Sequence, residues 1–103
     1  MKYITLVCNA GMSTSLLVKN MKKSAIEQGI EADIIAIPDS ELESRAENFK
    51  IDVVLLGPQV RYLKNKIAKL LEPKGVPVET IPPADYGTMN GKNVLYLALK
   101  LAK

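Results

Sequence analysis

The chemistry of this chain starts at its only cysteine. Cys8 opens the run Cys8-Asn9-Ala10-Gly11-Met12-Ser13-Thr14-Ser15, which carries three hydroxyls and two small residues within one loop length. An apolar run, Tyr3 to Val7, precedes it, and a helical pattern begins near Ser13. A turn from strand to helix aims several backbone N–H groups at one point, and the helix dipole adds partial positive charge there. A thiolate in that position is favoured over the thiol, and so is a doubly charged phosphate attached to it. The competing reading is a small buried cysteine that packs. Ser13, Thr14 and Ser15 divide in the same way, between donors to a bound phosphate and N-caps of the helix.

A cysteine at the mouth of a phosphate-cradling loop suggests two chemistries. In the first, of the protein tyrosine phosphatase type, Cys-x5-Arg places a guanidinium on the phosphoryl group. Here the sixth residue after Cys8 is Thr14. An arginine at a phosphoryl-transfer centre is worth about 10³–10⁵ in rate, so its absence argues against efficient hydrolysis. Asp85 is either that chemistry's general acid or a turn residue. A lone cysteine also rules out an arsenate-reductase cycle, which needs a resolving thiol. The second chemistry is a relay, in which the thiolate takes a phosphoryl group from one partner and hands it to another. That demands a loop that holds phosphate without trapping it, and amides plus hydroxyls suit this. A receiver-type phospho-aspartate site is absent, because no acidic cluster follows the first strand and Asp52 lies at the wrong end of the third.

Composition narrows the field. The 103 residues make one domain, large enough for a core without disulfide staples. A net charge of +3 comes from scattered lysines, among them Lys19, Lys22, Lys23, Lys64, Lys66 and Lys69. No arginine-rich or aromatic-interleaved run accompanies them, which argues against nucleic acid as a partner. The chain has no histidine, so Ser-His and Cys-His pairs and the usual zinc sets are excluded; no metal and no cofactor are expected. One cysteine fits a reducing compartment. The N-terminal apolar run is only strand-length, unlike a signal peptide, and no stretch approaches the ~20 apolar residues that span a bilayer.

The elements that position Cys8 follow from periodicity. Tyr3–Val7 reads as a central strand, nearly all apolar. A helix from Ser13 to Gln28 repeats Leu17, Met21 and Ala25, with Val18 and Ile26 beside them, and Gly29 stops it. Ala32–Ile37 is a second strand, ended by Pro38. Ser40 and Glu43 form a capping-box pattern for a short helix carrying Leu42 and Ala46, or the segment is a plain loop. Ile51–Leu56 is a third strand, followed by a helix with Val60, Leu63, Ile67, Leu70 and Leu71 that Pro73 and Gly75 close. Val76–Ile81 is a fourth strand, placed at an edge by Pro77. Pro82-Pro83 and Tyr86-Gly87 mark a loop before a last helix with Val94, Leu95, Ala98 and Leu101. Alternating strands and helices predict an α/β three-layer sandwich with a four-stranded parallel sheet. The most apolar strands belong at its centre, giving order 2-1-3-4. The crevice where that order reverses lies between Cys8 and Gly57-Pro58-Gln59.

Three stretches together resemble a known family. The run from Cys8 to Leu17, the strand and turn Asp52-Val53-Val54-Leu55-Leu56-Gly57-Pro58-Gln59, and Tyr86-Gly87 with Gly91 are similar to the enzyme IIB component of the bacterial phosphotransferase system, lactose/cellobiose/chitobiose class. The resemblance covers residues 1–103 as a single IIB domain and implies a phosphatase-like phosphate loop. It implies a cytoplasmic phosphocarrier, monomeric on its own and recruited to the membrane by enzyme IIC. Cys8 would accept phosphate from a histidine of enzyme IIA and pass it to a sugar bound to enzyme IIC, with Asn9, Ala10, Gly11, Met12, Ser13, Thr14 and Ser15 as its phosphate loop. Gln59 and Tyr86 either face that loop or a partner, or else Gln59 caps the third helix and Tyr86 packs over the core edge. Two alternatives use the same fold: a non-catalytic anion-sensing module, and a low-molecular-weight cysteine phosphatase.

Overall fold

The computed structural model describes residues 1–8 and 11–102, the side chains of 11–13 apart. Its strands are β1 (Lys2–Val7), β2 (Ala32–Ile37), β3 (Val53–Leu56) and β4 (Val78–Thr80), and its helices are α1 (Gly11–Glu27), α2 (Leu42–Asn48), α3 (Lys64–Leu71), α4 (Pro83–Gly87) and α5 (Gly91–Leu101). The sheet has order β2-β1-β3-β4, and every pairing is parallel. The predicted architecture and strand order are therefore those of the molecule.

The sheet is a parallel one with both faces covered, which is why its central strands read as continuous apolar runs. Ile4, Leu6, Val53 and Leu55 point to one face, where Leu17, Met21 and Ala25 of α1 meet Val94, Leu95 and Ala98 of α5. Val7, Val54 and Leu56 point to the other, against Leu42 of α2 and Val60, Ile67 and Leu71 around α3. Each large aliphatic side chain buried this way contributes about 1.5–3 kcal/mol. At the edge of the sheet, Glu79 of β4 is tied to Lys64 of α3 at 2.8 Å, and this bond together with the Thr80 backbone N–H lowers the Glu79 pKa. At the base of β3, Asp52 closes a two-way link with Tyr3, accepting from its backbone N–H at 2.7 Å and donating its own to the Tyr3 carbonyl at 2.8 Å.

Several local expectations are corrected. The Ser40/Glu43 capping box does not form: a 3-10 turn, Asp39–Glu41, leads into α2, and neither has a side-chain cap. The helix expected from Val60 begins instead as a 3-10 segment, Pro58–Leu63, interrupted at Val60 (φ −116°), and is α-helical only from Lys64. Leu70 and Ile26 are exposed rather than packed. The third and fourth strands are shorter than expected, and Pro77 lies just outside β4. The Pro82-Pro83 to Gly87 stretch is helical as α4, because proline at the first helical position loses no hydrogen bond.

The packing of α5 on α1 explains Gly91. A methyl group built there would strike the backbone of Asn20 and Met21, 2.5 Å from the Met21 nitrogen and 2.6 Å from the Asn20 carbonyl oxygen. Those atoms belong to the helix backbone and cannot rotate away. The same crossing is braced by Asn20 Nδ2 donating to the Met89 carbonyl at 2.9 Å. Gly91→Ala must therefore force the helices apart, with a loss of about 1–3 kcal/mol or more. Urea denaturation measures it, and an unchanged midpoint would refute the close-approach explanation.

Candidate functional site

Cys8 stands where the topology concentrates backbone polarity. It follows the last residue of β1, and its N–H donates to the Ile37 carbonyl of β2 at 3.1 Å. On the other side, Val7 pairs with Leu56, and the Gly57 N–H donates to the Val7 carbonyl at 2.9 Å. This places Gly57 directly beside Cys8. Its backbone (φ −60°, ψ 150°) is open to any residue, so space rather than conformation requires glycine. A Cβ at Gly57 would sit 3.3 Å from Cys8 Sγ and 2.9 Å from Gln59 Oε1. The missing side chain leaves the sulfur room and lets the Gln59 amide reach it.

Two side chains from two other elements reach the buried thiol, and a third stands behind one of them. Gln59, in the 3-10 turn after β3, has Oε1 at 3.9 Å from Sγ, placed to accept the thiol hydrogen. Tyr86, from α4, has its hydroxyl at 3.6 Å from Sγ. The same hydroxyl lies 3.1 Å from Thr14 Oγ1, on the first turns of α1. Cys8, Thr14 and Tyr86 are only 7%, 2% and 6% exposed. The ring of Tyr86 belongs to the core cluster with Leu17 and Val94, so its position is set by packing and its hydroxyl is delivered to the sulfur. Burial raises the Tyr86 pKa above 10.0; the bond to Thr14 pulls the other way, and the neighbouring Cys8 adds to the rise.

The residues read from the sequence fall as follows. Cys8, Thr14, Gln59 and Tyr86 are brought together. Thr14 is the fourth residue of α1, beyond the capping position, and its hydroxyl faces Tyr86. Ser15 is exposed one residue further along the helix. Gly11, Met12 and Ser13 form the start of α1, whose first turn carries no acidic residue. Asn9 and Ala10 lie outside the described residues. Gln59 does not cap a helix; Gly57 holds that position, with no side-chain bond. Tyr86 both packs in the core and reaches the site. The Asp85 carboxylate accepts from Asn93 Nδ2 at 3.0 Å, tying α4 to α5. The sequence reading missed the reason for Gly57, although a glycine directly after a buried strand and opposite a cysteine was its trace.

Other features lie elsewhere or are absent from the described residues. A cavity of about 880 Å³, lined in part by Lys50, Asp52, Lys69 and Leu101, opens at the opposite end of the sheet, where β3 and β4 begin. Among the described residues no His/Cys/Asp/Glu group could hold a metal, and no helix is long and apolar enough to cross a membrane.

The chain and its fold are similar to those of known proteins. Residues 3–97 match the family model described as PTS system, Lactose/Cellobiose specific IIB subunit. The galactose-specific EIIB component of Lactococcus lactis subsp. cremoris is 45% identical, over 97% of this chain and 95% of that protein. The oligo-beta-mannoside-specific EIIB component of Bacillus subtilis is 41% identical, over 98% and 96%. The solution structure of a cellobiose-specific phosphotransferase IIB component from Borrelia burgdorferi superimposes with a TM-score of 0.79 at 46% identity, covering 98% of this chain and 91% of that one. The lactose-specific IIB domain from Streptococcus pneumoniae superimposes with a TM-score of 0.86 at 13% identity, over 99% and 98%, a likeness of fold.

The buried phenol has a consequence for alkaline stability. The folded protein holds the Tyr86 proton more tightly than the unfolded chain does, so this contribution is complete below pH 10.0 and is lost as pH rises beyond it. The stability advantage of the wild type over Tyr86→Phe should therefore shrink above that pH. Urea titrations of both proteins across the range measure the difference, and an advantage that stays constant or grows contradicts it.

Proposed function

The chain belongs to the lactose/cellobiose-specific IIB family of phosphotransferase-system components, and from that premise we propose that Cys8 is its phosphoryl-carrying residue. In the proposed cycle, residues 1–103 work as one IIB domain, a monomer on the cytoplasmic side of the membrane. The Cys8 thiolate attacks the phosphorus of a phosphohistidine on enzyme IIA. The S–P bond forms as the N–P bond breaks, and its electron pair returns to the imidazole. At the membrane, the hydroxyl oxygen of a sugar held by enzyme IIC attacks in turn. The S–P bond breaks, sulfur keeps the pair, and the hydroxyl proton leaves to solvent. A sugar such as cellobiose, lactose or chitobiose is the proposed acceptor. Relatives named for galactose and for oligo-beta-mannosides fit a division of labour in which IIC selects the sugar.

The observation that carries the proposal is the thiol itself: it sits at the carboxyl end of β1, ahead of the α1 N-terminus and beside Gly57. The first turn of α1, from Gly11 onward, has backbone N–H groups without an intrahelical acceptor that suit a phosphate, and charge-assisted bonds to it are stronger than neutral ones. An acidic residue in the first turn of α1 would repel the group, and none is there. Two features argue against a phosphatase. Thr14 stands in the place of the arginine, and the Asp85 carboxylate is engaged by Asn93 rather than aimed at sulfur. Leu16 on α1 and Tyr62 after Gln59 are exposed and offer apolar surface to a protein partner.

Replacing the sulfur tests the assignment. Cys8→Ser should keep its circular-dichroism spectrum and melting behaviour while losing phosphoryl acceptance from IIA charged with a phosphoryl donor. Labelling of the variant at the wild-type level would remove Cys8 from the pathway.

A further inference from the structure

We infer that Tyr86 is a catalytic hydrogen-bond donor to the Cys8 sulfur, and that Thr14 and Tyr86 form a two-hydroxyl chain whose direction reverses when the sulfur becomes negatively charged. This rests on the phosphocarrier reading of Cys8 and adds the group that stabilises its thiolate. The hydroxyls of Thr14 and Tyr86 lie 3.1 Å apart, and the Tyr86 hydroxyl lies 3.6 Å from Sγ. In each pair either atom is able to donate. While the thiol is neutral, S–H points to the Tyr86 oxygen or to Gln59 Oε1, and Tyr86 O–H points to Thr14. Once sulfur is anionic it has no hydrogen to give. The chain then runs the other way: Thr14 O–H donates to Tyr86, and Tyr86 O–H donates to sulfur. Bonds ordered head to tail strengthen one another, and a bond to an anion is stronger than one to a neutral group.

The sulfur is anionic at the two moments that matter, as nucleophile during loading and as leaving group during unloading. A donor on it raises the thiolate fraction before loading and eases departure from phosphorus afterwards. Tyr86 remains protonated while the thiol ionises, since burial lifts its pKa above 10.0. The groups described around the sulfur are Gly57 at the end of β3, Gln59 in the turn beyond, Thr14 of α1 and Tyr86 of α4; of these only Tyr86 titrates. Core packing of its ring keeps the hydroxyl from following solvent.

The test is the rate of Cys8 alkylation by iodoacetamide against pH in the purified chain. Tyr86→Phe keeps the ring and removes the donor. Its inflection should rise by about one unit, with alkylation near neutral pH about tenfold slower. Its plateau at high pH should equal or exceed that of the wild type, because a more basic thiolate is the stronger nucleophile. A merely structural role would change access and the plateau, not the inflection. Thr14→Val, which removes only the second hydroxyl, should raise the inflection by less. An inflection that does not rise in folded Tyr86→Phe overturns the assignment. Should that variant fail to fold, Thr14→Val decides, and an inflection that does not rise there overturns it. Alkylation needs neither IIA nor sugar, so this failure would leave the Cys8 carrier reading standing. Loss of that reading would appear instead as labelling of Cys8→Ser.

Discussion

The parallel pairing of β1 with β3 is the constraint on which the candidate site depends. Val7 faces Leu56, and one hydrogen bond beyond that pair, from the Gly57 N–H to the Val7 carbonyl, places the two strand ends side by side. Both strands are buried on both faces, so neither can slip by one residue without exchanging every side chain between the two layers. The register is therefore held by the whole core. Because it is held, a residue without a side chain meets the cysteine, and the sulfur gains the space that any Cβ at Gly57 would take.

A second set of contacts brings the phenol to that point. The α4 helix is only five residues long, too short to be stable by itself, and depends on its neighbours. Tyr86 anchors it through its ring, Asp85 ties it to Asn93 of α5, and Asn20 of α1 holds the Met89 carbonyl just beyond it. Met89 itself takes a left-handed conformation (φ 52°), which turns the chain sharply into α5. Two residues on, Gly91 lets α5 lie directly against the α1 backbone at Asn20 and Met21.

The described partners of the sulfur are neutral: an amide, a phenol and, through it, a threonine hydroxyl. Neutral dipoles suit a proposed carrier. A guanidinium at residue 14 would grip the phosphoryl oxygens and favour attack by water, whereas dipoles that reorient follow the charge on sulfur as phosphate arrives and leaves. Binding that is equal at every stage would help neither transfer, and a hydrogen-bond chain able to reverse strengthens only when the negative charge is on sulfur.

Much of this was legible in the chain. Apolar runs at Tyr3–Val7 and Ile51–Leu56, separated by helical periodicity, dictate two central parallel strands, since only burial on both faces tolerates such runs. Strand order and the rule that sites lie beyond carboxyl ends then deliver Cys8 and Gly57-Pro58-Gln59 to one crevice. Periodicity reads one element at a time, and there it failed where neighbours decide. Ile26 fits the apolar stripe of α1 yet is exposed, and Leu70 likewise on α3. Pro82-Pro83 resembles a loop, but a proline-started helix forms there because Tyr86 can be buried against α1 and α5. Gln59 and Tyr86 each had two readings, because a side chain's direction depends on what lies opposite. Cys8 and Tyr86 are 78 residues apart, and Thr14 and Tyr86 are 72 apart. No local pattern specifies a hydrogen bond across that separation; it exists because the core fixes the backbones that carry Cys8, Thr14 and Tyr86 relative to one another.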